Sequence, residues 1–277
     1  MFKAIYDLIR FNRYNPTERK IVFYSENESF YKFFSGLIDD LIENYNQKIY
    51  YVTSSLNDPI LKTKNKSIIP FYIGAGSIRT IFFSMYNSPT LILTMPDLNS
   101  FHIKRSPHKV NYIFIPHNVL SIHMVFRNKA FNHYDTFFCS GPHHKKEIKE
   151  KEKIYNLKKI ETVNFGYNKI DELINNKQKS LDSEKTLIIC PSWGENCIIE
   201  KYGGKLMSIL ADSKWKVIVR PHPDTVRKFS NKYFKLKNKY KNKFFFEEKI
   251  SNMNSLYKSS LMISDWSGAA FEFAFGL

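Results

Sequence analysis

Two side chains suited to phosphate binding lie in the segment Val219-Arg220-Pro221-His222-Pro223, directly after an apolar run typical of a buried strand. Ligands of open α/β sheets bind beyond the carboxyl ends of the strands, where an arginine can pair with phosphate oxygens and a histidine can supply a further donor. A proline on each side of His222 restricts the backbone and would fix the imidazole at little entropic cost. The spacing predicts a phosphate-binding loop, and it is equally typical of a strand exit with a solvated arginine and a capping histidine.

A second polar cluster follows another apolar run, near the end of the sequence. Ser267 or Asp265 can cap the helix that is predicted there, and the small residues around Gly268 would leave backbone N–H groups exposed at its positive end, which favours a phosphate. Ser264 and Ser267 could add hydroxyl donors, and Glu272 could accept a hydrogen bond from a ribose or polyol hydroxyl. A well-capped helix without a ligand is the alternative interpretation.

His117 follows a third apolar run, in the segment Ile115-Pro116-His117-Asn118. An imidazole with a pKa of about 6.5 is the side chain best suited to take a proton from an alcohol at neutral pH. A single histidine at a strand end is nevertheless more often structural, and the chain has eight histidines. His143 and His144 are predicted to open a surface helix and lack a third well-spaced ligand, so no metal site is predicted there.

Several motifs of nucleotide and hydrolase chemistry are absent from the sequence. It has neither Gly-x-Gly-x-x-Gly nor Gly-x-x-x-x-Gly-Lys-Ser/Thr, the glycine-rich loops that bind dinucleotides and nucleoside triphosphates. It has no Asp-x-Asp carboxylate pair for a metal-bound nucleotide sugar and no Gly-x-Ser-x-Gly nucleophile elbow. Neither a metal ion nor a cofactor is therefore expected.

The elements that must position these residues follow an alternating pattern. Short β-branched and aromatic runs alternate with longer amphipathic stretches such as residues 29–45, the pattern of βα units that build a parallel sheet. Seven strands are predicted in the first part of the chain, at residues 21–24, 48–53, 71–73, 91–94, 112–115, 136–139 and 162–165.

A polar stretch after Asp171 is the predicted domain boundary, with an N-terminal domain at residues 1–172 and a C-terminal domain at residues 183–277. Open doubly wound sheets usually have about five or six strands. Only four are predicted in the second domain, so that domain is expected to be truncated. Its strands are predicted at residues 187–190, 216–219, 244–246 and 261–264, and its helices around 205–211 and 252–257.

The composition narrows the class of partner. The chain has 277 residues, and 42 Lys and Arg against 26 Asp and Glu give a formal net charge of +16. This excess favours anionic partners such as nucleic acid, phosphorylated substrates or an acidic membrane surface. Three cysteines without a CxxC spacing fit a reducing cytosol. No apolar run approaches the roughly 18 to 20 residues that span a bilayer, so a soluble or peripheral protein is expected.

In order and separation, the strand-end segments resemble the signatures of the CDP-glycerol glycerophosphotransferase family, the teichoic-acid and capsule polymer enzymes with a GT-B fold. His117 sits where the family has a strand-end His-Gly motif. The other segments that carry the resemblance are Phe165-Gly166-Tyr167-Asn168-Lys169-Ile170-Asp171, Cys190-Pro191-Ser192-Trp193, Arg220-Pro221-His222-Pro223 and Ser264-Asp265-Trp266-Ser267-Gly268. The sequence departs from the family pattern at Asn118, Asn168, Lys169 and Gly194.

The resemblance implies an α/β chain with a GT-B-like pair of Rossmann-like doubly wound domains, in which residues 1–172 form the acceptor-side domain and residues 183–277 the nucleotide-donor-binding domain. It also implies transfer of a polyol phosphate from a CDP-activated donor to a hydroxyl of a cell-surface polysaccharide or teichoic-acid-like acceptor, with release of CMP. The implied catalytic residues are His117, as general base, and His222. The implied donor-binding residues are Arg220, Ser264, Asp265, Ser267, Gly268, Glu272 and Ser192, without a metal ion.

Three alternatives stay open at this point. A GT-B glycosyltransferase with a CMP- or UDP-sugar donor would need the same phosphate-binding groups. The run of lysines and aromatic residues at 232–243 is typical of a non-catalytic nucleic-acid-binding module, and the chain could be an inactive fragment. The preferred interpretation is a cytoplasmic enzyme, peripheral on the inner face of the cell membrane. Its expected partners are a nucleotide-activated donor, a phosphate-rich or lipid-linked glycan acceptor and the anionic membrane surface, and not nucleic acid.

Overall fold

The computed structural model describes residues 2–100, 103–177, 185–228, 231–248 and 254–276. The chain divides into two compact units, Met1–Asn168 and Lys169–Leu277. The boundary predicted from the sequence lies a few residues further along the chain. Each unit has its own parallel sheet.

The first unit alternates strands and helices. Its helices are α1 (Phe2–Arg13), α2 (Tyr31–Glu43), α3 (Ser77–Met85), α4 (Ile122–Val125) and α5 (Pro142–Ile154), with short 3-10 helices at Glu28–Phe30 and Pro59–Lys62. Its strands are β1 (Val22–Ser25), β2 (Ile49–Thr53), β3 (Ile68–Tyr72), β4 (Thr90–Leu93), β5 (Asn111–Phe114), β6 (Thr136–Cys139) and β7 (Glu161–Asn164).

The strands of the first unit pair in parallel in the order β3-β2-β1-β4-β5-β6-β7. The chain order reverses between β1 and β4, so the topological switch point of this doubly wound sheet lies there. Successive side chains of β1 enter opposite core layers, because Tyr24 packs on Phe83 of α3 while Phe23 packs on Phe34 of α2. Helices thus cover both faces of the sheet, and this explains why its strands are almost continuously apolar.

The second unit has the same strand arrangement on a smaller scale. Its described strands are β8 (Thr186–Cys190), β9 (Lys216–Val219), β10 (Phe245–Phe246) and β11 (Leu261–Ser264). They pair in parallel in the order β10-β9-β8-β11, so the switch point lies between β8 and β11. The described helices are α6 (Asn168–Lys177), which begins at the boundary, α7 (Ile198–Ala211), α8 (Pro223–Arg227), α9 (Asn231–Tyr240), α10 (Asn254–Tyr257) and α11 (Gly268–Gly276).

The lysine-rich run of the second unit forms α9, and its aromatic side chains face inward. Tyr233 and Tyr240 are buried together with Leu236, and Tyr240 stacks on Phe244 with 5.3 Å between the ring centres. Bases cannot stack on side chains that lie in the core. The interleaved aromatic residues, on which the nucleic-acid interpretation depended, therefore serve packing.

These two sheets confirm the predicted α/β class of doubly wound, Rossmann-like units. In the parts of the chain that the structure describes, every helix is too short or too polar to cross a membrane.

Candidate functional site

The predicted donor-binding residues gather at one edge of the second sheet. β8, β9 and β11 are adjacent parallel strands, so their carboxyl ends lie side by side. Ser192 follows β8, His222 follows β9, and the segment from Asp265 to Gly268 follows β11. This edge contains the switch point between β8 and β11, where ligands of doubly wound sheets bind.

His222 directly precedes α8, and a hydrogen bond fixes its ring. The Nδ1 atom accepts the backbone N–H of Asp224 at 3.1 Å. Burial lowers the pKa of His222; Asp224 opposes this effect, whereas Arg227 and Lys228 add to it. The ring is therefore neutral at pH 7, and since Nδ1 is an acceptor, its single proton is on Nε2. His222 can offer this one N–H to a ligand.

Ser267 and Gly268 form the beginning of α11. The Ser267 Oγ accepts the backbone N–H of Ala269 at 3.3 Å, which leaves the hydroxyl proton for another acceptor. A Cβ placed on Gly268 would meet no atom within 4 Å, so the space beside this turn is open. Backbone N–H groups at the beginning of a helix attract anions. These two residues are therefore accessible to a ligand, and phosphate binding by them stays a prediction.

Ser264 was predicted to donate its hydroxyl proton to a ligand, but the hydroxyl has a partner within the chain. Its Oγ donates its only proton to the carbonyl oxygen of Cys190, at 2.5 Å. This bond joins the ends of β11 and β8. Ser264 thus stabilises the strand edge, and its oxygen is left only as an acceptor.

Asp265, predicted as a donor ligand or a helix cap, has both carboxylate oxygens occupied by backbone groups. Oδ1 accepts the N–H of Ser192 at 2.6 Å, and Oδ2 accepts the N–H of Ile198 at 2.7 Å. Ile198 is the first residue of α7. The carboxylate therefore fixes the loop after β8 to the loop after β11, and the backbone of Ser192 takes part in the site through this contact.

Arg220, predicted to bind a pyrophosphate, directly follows β9 and has partners within the second unit. Its side chain is 7% exposed, and its Nη1 donates to the Ser255 Oγ at 2.8 Å. Ser255 donates in turn to Glu247 Oε2 at 2.6 Å, and this oxygen lies 3.6 Å from the same Nη1. The buried network connects the ends of β9 and β10 to α10. Arg220 is therefore a positioning residue for the loop that carries His222.

Glu272 also has an internal partner where a substrate hydroxyl was predicted. Its Oε2 lies 2.5 Å from the Nζ of Lys169, and the two side chains are 7% and 14% exposed. This buried ion pair connects α11 to α6. Lys169, at which the sequence departs from the family pattern, thus supplies a structural cation.

A cavity of about 370 Å³ lies next to His222, and the sequence analysis missed it. Trp193 is 47% exposed at its wall, with its ring centre 6.2 Å from that of His222. The Nζ of Lys228 lies 3.6 Å from the centre of the indole ring. The signal available in the sequence was Trp193 followed by Gly194, shortly after an apolar run. In the structure Gly194 has a φ of +95°. The cavity is lined by Trp193, Gly194, Glu195, Glu200, Asp224, Thr225 and Lys228.

His117 lies at the carboxyl edge of the first sheet, beyond the end of β5. Its ring centre is 5.6 Å from that of Phe30, 6.0 Å from that of Phe33 and 5.7 Å from that of Phe126. Burial lowers the pKa of His117 to about 4, although a hydrogen bond with the Thr94 backbone opposes the shift. The ring is neutral at pH 7, as a general base must be, but the expectation of an unperturbed pKa of about 6.5 is wrong.

The Nδ1 of His117 is buried and has no hydrogen-bond partner among the described residues. Buried polar atoms are almost always paired, so this nitrogen is suited to a bound hydroxyl or water. The backbone beneath the ring is fixed, because Tyr167 Oη donates to the His117 carbonyl at 3.0 Å. Tyr167 comes from the Gly166-Tyr167 segment of the family pattern.

His143 and His144 lie on α5, as the sequence predicted for a surface helix. His144 is buried, its Nδ1 accepts the Ser140 N–H at 3.2 Å, and its Nε2 bonds to the Leu120 carbonyl at 2.8 Å. Within the described ranges, no cluster of three or more His, Cys, Asp or Glu side chains could hold a metal ion.

The strand-end motifs fall within a match to a protein family. The model of CDP-Glycerol:Poly(glycerophosphate) glycerophosphotransferase matches residues 8–276. The chain belongs to this family. The match covers both sheets of this glycerophosphotransferase family member, and it includes His117 as well as the α11 segment. No curated protein matches the chain at a significant level.

Solved structures share the GT-B-like fold of this family member. The UDP-GlcNAc 2-epimerase of Methanocaldococcus jannaschii, in complex with UDP-GlcNAc and UDP, has a TM-score of 0.61 and 14% identity, over 91% of this chain and 80% of the epimerase. The UDP-GlcNAc 2-epimerase of Neisseria meningitidis, bound to UDP-GlcNAc, has a TM-score of 0.61 and 11% identity, over 90% and 77% of the two chains. At these identities the similarity is one of fold.

Proposed function

We propose that this glycerophosphotransferase family member transfers a polyol phosphate, such as glycerol phosphate, from a CDP-activated donor. The acceptor is a hydroxyl of a teichoic-acid-like or other cell-surface polysaccharide, and CMP is released. The observation that carries this proposal is the strand edge of the second unit, where neutral His222 presents Nε2–H and Ser267 and Gly268 begin α11. Such donors suit the oxygens of a pyrophosphate without a metal ion.

In this proposal the donor is bound through three groups at the edge of the second sheet. The Nε2–H of His222, the hydroxyl of Ser267 and the N–H of Gly268 bind the pyrophosphate. The cavity beside Trp193 accepts the cytidine, because an exposed indole is a stacking surface for a base. Carboxylates in its wall, such as Glu200, can accept hydrogen bonds from ribose hydroxyls.

The transfer step requires a base for the acceptor hydroxyl, and His117 is the proposed base. The hydroxyl oxygen attacks the β-phosphorus of the donor and forms a new P–O bond, while the bond from that phosphorus to the oxygen of CMP breaks. The hydroxyl proton goes to Nδ1 of His117, and His222 with the beginning of α11 stabilises the charge on departing CMP. The unpartnered Nδ1 supports this role.

A GT-B glycosyltransferase that uses a CMP- or UDP-sugar is the second candidate. The solved epimerases of the same fold were crystallised with UDP-GlcNAc, which favours a nucleotide sugar. The same phosphate-binding groups would serve that donor, but the bond would form at carbon.

A donor panel tests the two candidates. CDP-glycerol, CDP-ribitol, a CMP-sugar and a UDP-sugar are offered separately with a polyol phosphate acceptor, and the released nucleotide is measured. We expect CMP from a CDP-polyol, loss of release in His222→Ala and full release in the control His108→Ala, whose side chain is exposed. Release from a sugar donor alone would support the glycosyltransferase.

We also propose that the chain works at the inner, cytoplasmic face of the cell membrane. α1 exposes the apolar side chains of Phe2, Tyr6 and Ile9, while its other side packs through the buried Phe11. Arg13 in its last turn adds positive charge. An exposed apolar helix face with basic residues binds the interface of an anionic bilayer.

Vesicle sedimentation tests this location. We expect wild-type protein to pellet with vesicles rich in phosphatidylglycerol and to stay in solution with phosphatidylcholine. The double substitution Tyr6→Ser with Ile9→Ser should abolish pelleting, whereas Ile154→Ser, on an exposed side chain of α5, should leave it unchanged. Equal pelleting of all three proteins would contradict the role of α1.

A further inference from the structure

The switch point of the first sheet carries a second group of polar side chains. Glu26 follows β1, and Thr94 follows β4. Tyr24 of β1 pairs with Leu93 of β4 in the register of these parallel strands. Leu93 in turn pairs with Phe114 of β5. Glu26 follows β1 and His117 follows β5, so these two residues extend from the strands on either side of β4. Two strand spacings of about 4.8 Å place them roughly 10 Å apart, within reach of one small ligand.

Several polar atoms at this edge are buried without a hydrogen-bond partner among the described residues. They are Arg79 Nε, Thr94 Oγ1 and His117 Nδ1. Buried polar atoms are rarely unpaired, and unpaired atoms that cluster at one strand edge indicate a missing ligand or water. The position matches the crevice where doubly wound sheets bind small molecules.

Glu26 and Arg79 bring opposite charges to this crevice. Glu26 is half-buried, and its field and that of Arg79 act on each other, yet Glu26 forms no ion pair among the described residues. Arg79 is also close to Tyr24, because its charge opposes the rise in the pKa of Tyr24 that burial causes, and the Tyr24 hydroxyl bonds to the Ser54 Oγ at 2.9 Å. A carboxylate and a guanidinium that lie near each other without an ion pair suit a molecule with both donor and anionic groups.

We propose that Glu26 and Arg79 form the subsite for the end of the acceptor chain, a polyol that carries a neighbouring phosphodiester. The Glu26 carboxylate accepts a hydrogen bond from a polyol hydroxyl, and the Arg79 guanidinium binds the phosphate. The hydroxyl that reacts then lies toward His117. This inference rests on the proposed function, and it adds that the enzyme selects acceptors that end in a polyol phosphate over neutral polyols.

Direct binding tests the subsite without turnover. The probes are glycerophosphoglycerol and a neutral polyglycerol ether of similar length, each titrated into the full chain by calorimetry. We expect wild-type protein to prefer the phosphodiester by about 10-fold or more, as for a charge-assisted hydrogen bond. The Arg79→Met variant should lose this preference, and the Glu26→Gln variant should bind both probes more weakly. Lys149→Met, on an exposed side chain of α5, should behave as wild type. Equal affinity of wild type and Arg79→Met for the phosphodiester would overturn the subsite.

A second variant and a turnover assay make the result decisive. Arg79→Lys keeps the positive charge without the planar fork, so it should fold and show an intermediate preference, which thermal unfolding and the same titration measure. CMP release from CDP-glycerol is followed in parallel. Arg79-dependent binding without any CMP release would support the subsite and refute the proposed function. CMP release with an acceptor KM that Arg79→Met leaves unchanged would support the function and refute the subsite.

Discussion

The carboxylate of Asp265 lies 2.6 Å from the backbone nitrogen of Ser192, a residue 73 positions away along the chain. Its second oxygen accepts the N–H of Ile198, where α7 begins. One side chain thus fixes the two loops on either side of the switch point between β8 and β11. The shape of the strand edge at which we propose that the donor binds depends on this carboxylate, although both of its oxygens are occupied by backbone groups.

Asp265→Asn is therefore expected to raise the KM for CDP-glycerol more than it lowers kcat. The amide has one acceptor oxygen, so one of the two N–H groups would face an NH2 group, at a cost of about 1–3 kcal/mol. Steady-state kinetics and thermal unfolding measure the two effects. Asp212→Asn, on an exposed carboxylate of the same unit, is the matched control. An unchanged KM would show that the loop connection does not shape the donor site.

Two substitutions separate the structural role of His222 from its chemical role. His222→Asn keeps an acceptor for the backbone N–H of Asp224, whereas His222→Ala removes the cap of α8, which costs about 1 kcal/mol. Both remove the Nε2–H, so we expect both to lower CMP release by about 100-fold or more. Thermal unfolding and CMP release are measured on the same preparations. Normal turnover in His222→Asn would contradict phosphate binding by the ring.

The strands could be predicted because parallel sheets covered on both faces need continuous apolar runs, and the sequence has such runs. β3 shows where the pattern fails. It begins at Ile68 and includes Pro70, whereas the predicted strand began only at residue 71. β3 is at the edge of its sheet, where a proline leaves no ladder bond unmade. Whether a strand tolerates a proline depends on its position in the sheet, and a single sequence does not reveal that position.

α7 was predicted around residues 205–211 but begins at Ile198, and Gly203 and Gly204, which disfavour a helix, directly precede the predicted segment. A Cβ on Gly203 would lie 2.7 Å from a methyl carbon of Leu236, so the glycine is required by packing against α9. The candidate site was also predictable only in part from the sequence. Strand-end positions were predictable from local pattern, but the partners of Asp265 and Arg220 come from distant segments, and those partners decide which side chains remain for a ligand.

The ion pair between Lys169 and Glu272 is expected to be sensitive to loss of one partner. Glu272→Gln leaves the buried ammonium of Lys169 without this counter-charge, so we expect a destabilisation of about 3 kcal/mol. The double variant Lys169→Met with Glu272→Leu should recover most of the loss. Urea unfolding of Lys169→Met, Glu272→Leu and the double variant completes the thermodynamic cycle. A cost for Glu272→Gln no larger than the roughly 0–1 kcal/mol of an exposed pair would show that the contact contributes little.

The buried environment of His117 makes the free energy of unfolding fall as the pH is lowered. Burial lowers the pKa of His117 to about 4 in the folded chain, against about 6.5 when unfolded, so between these values the unfolded chain binds a proton that the folded chain does not. The free energy of unfolding is therefore highest above about pH 6.5 and falls as the pH drops toward 4, by up to about 3 kcal/mol from this group. His117→Phe, among the rings of Phe30, Phe33 and Phe126, removes the titration and should also abolish transfer. Urea unfolding between about pH 7 and pH 4 measures the difference between wild type and variant, and a difference independent of pH would contradict a buried, neutral ring.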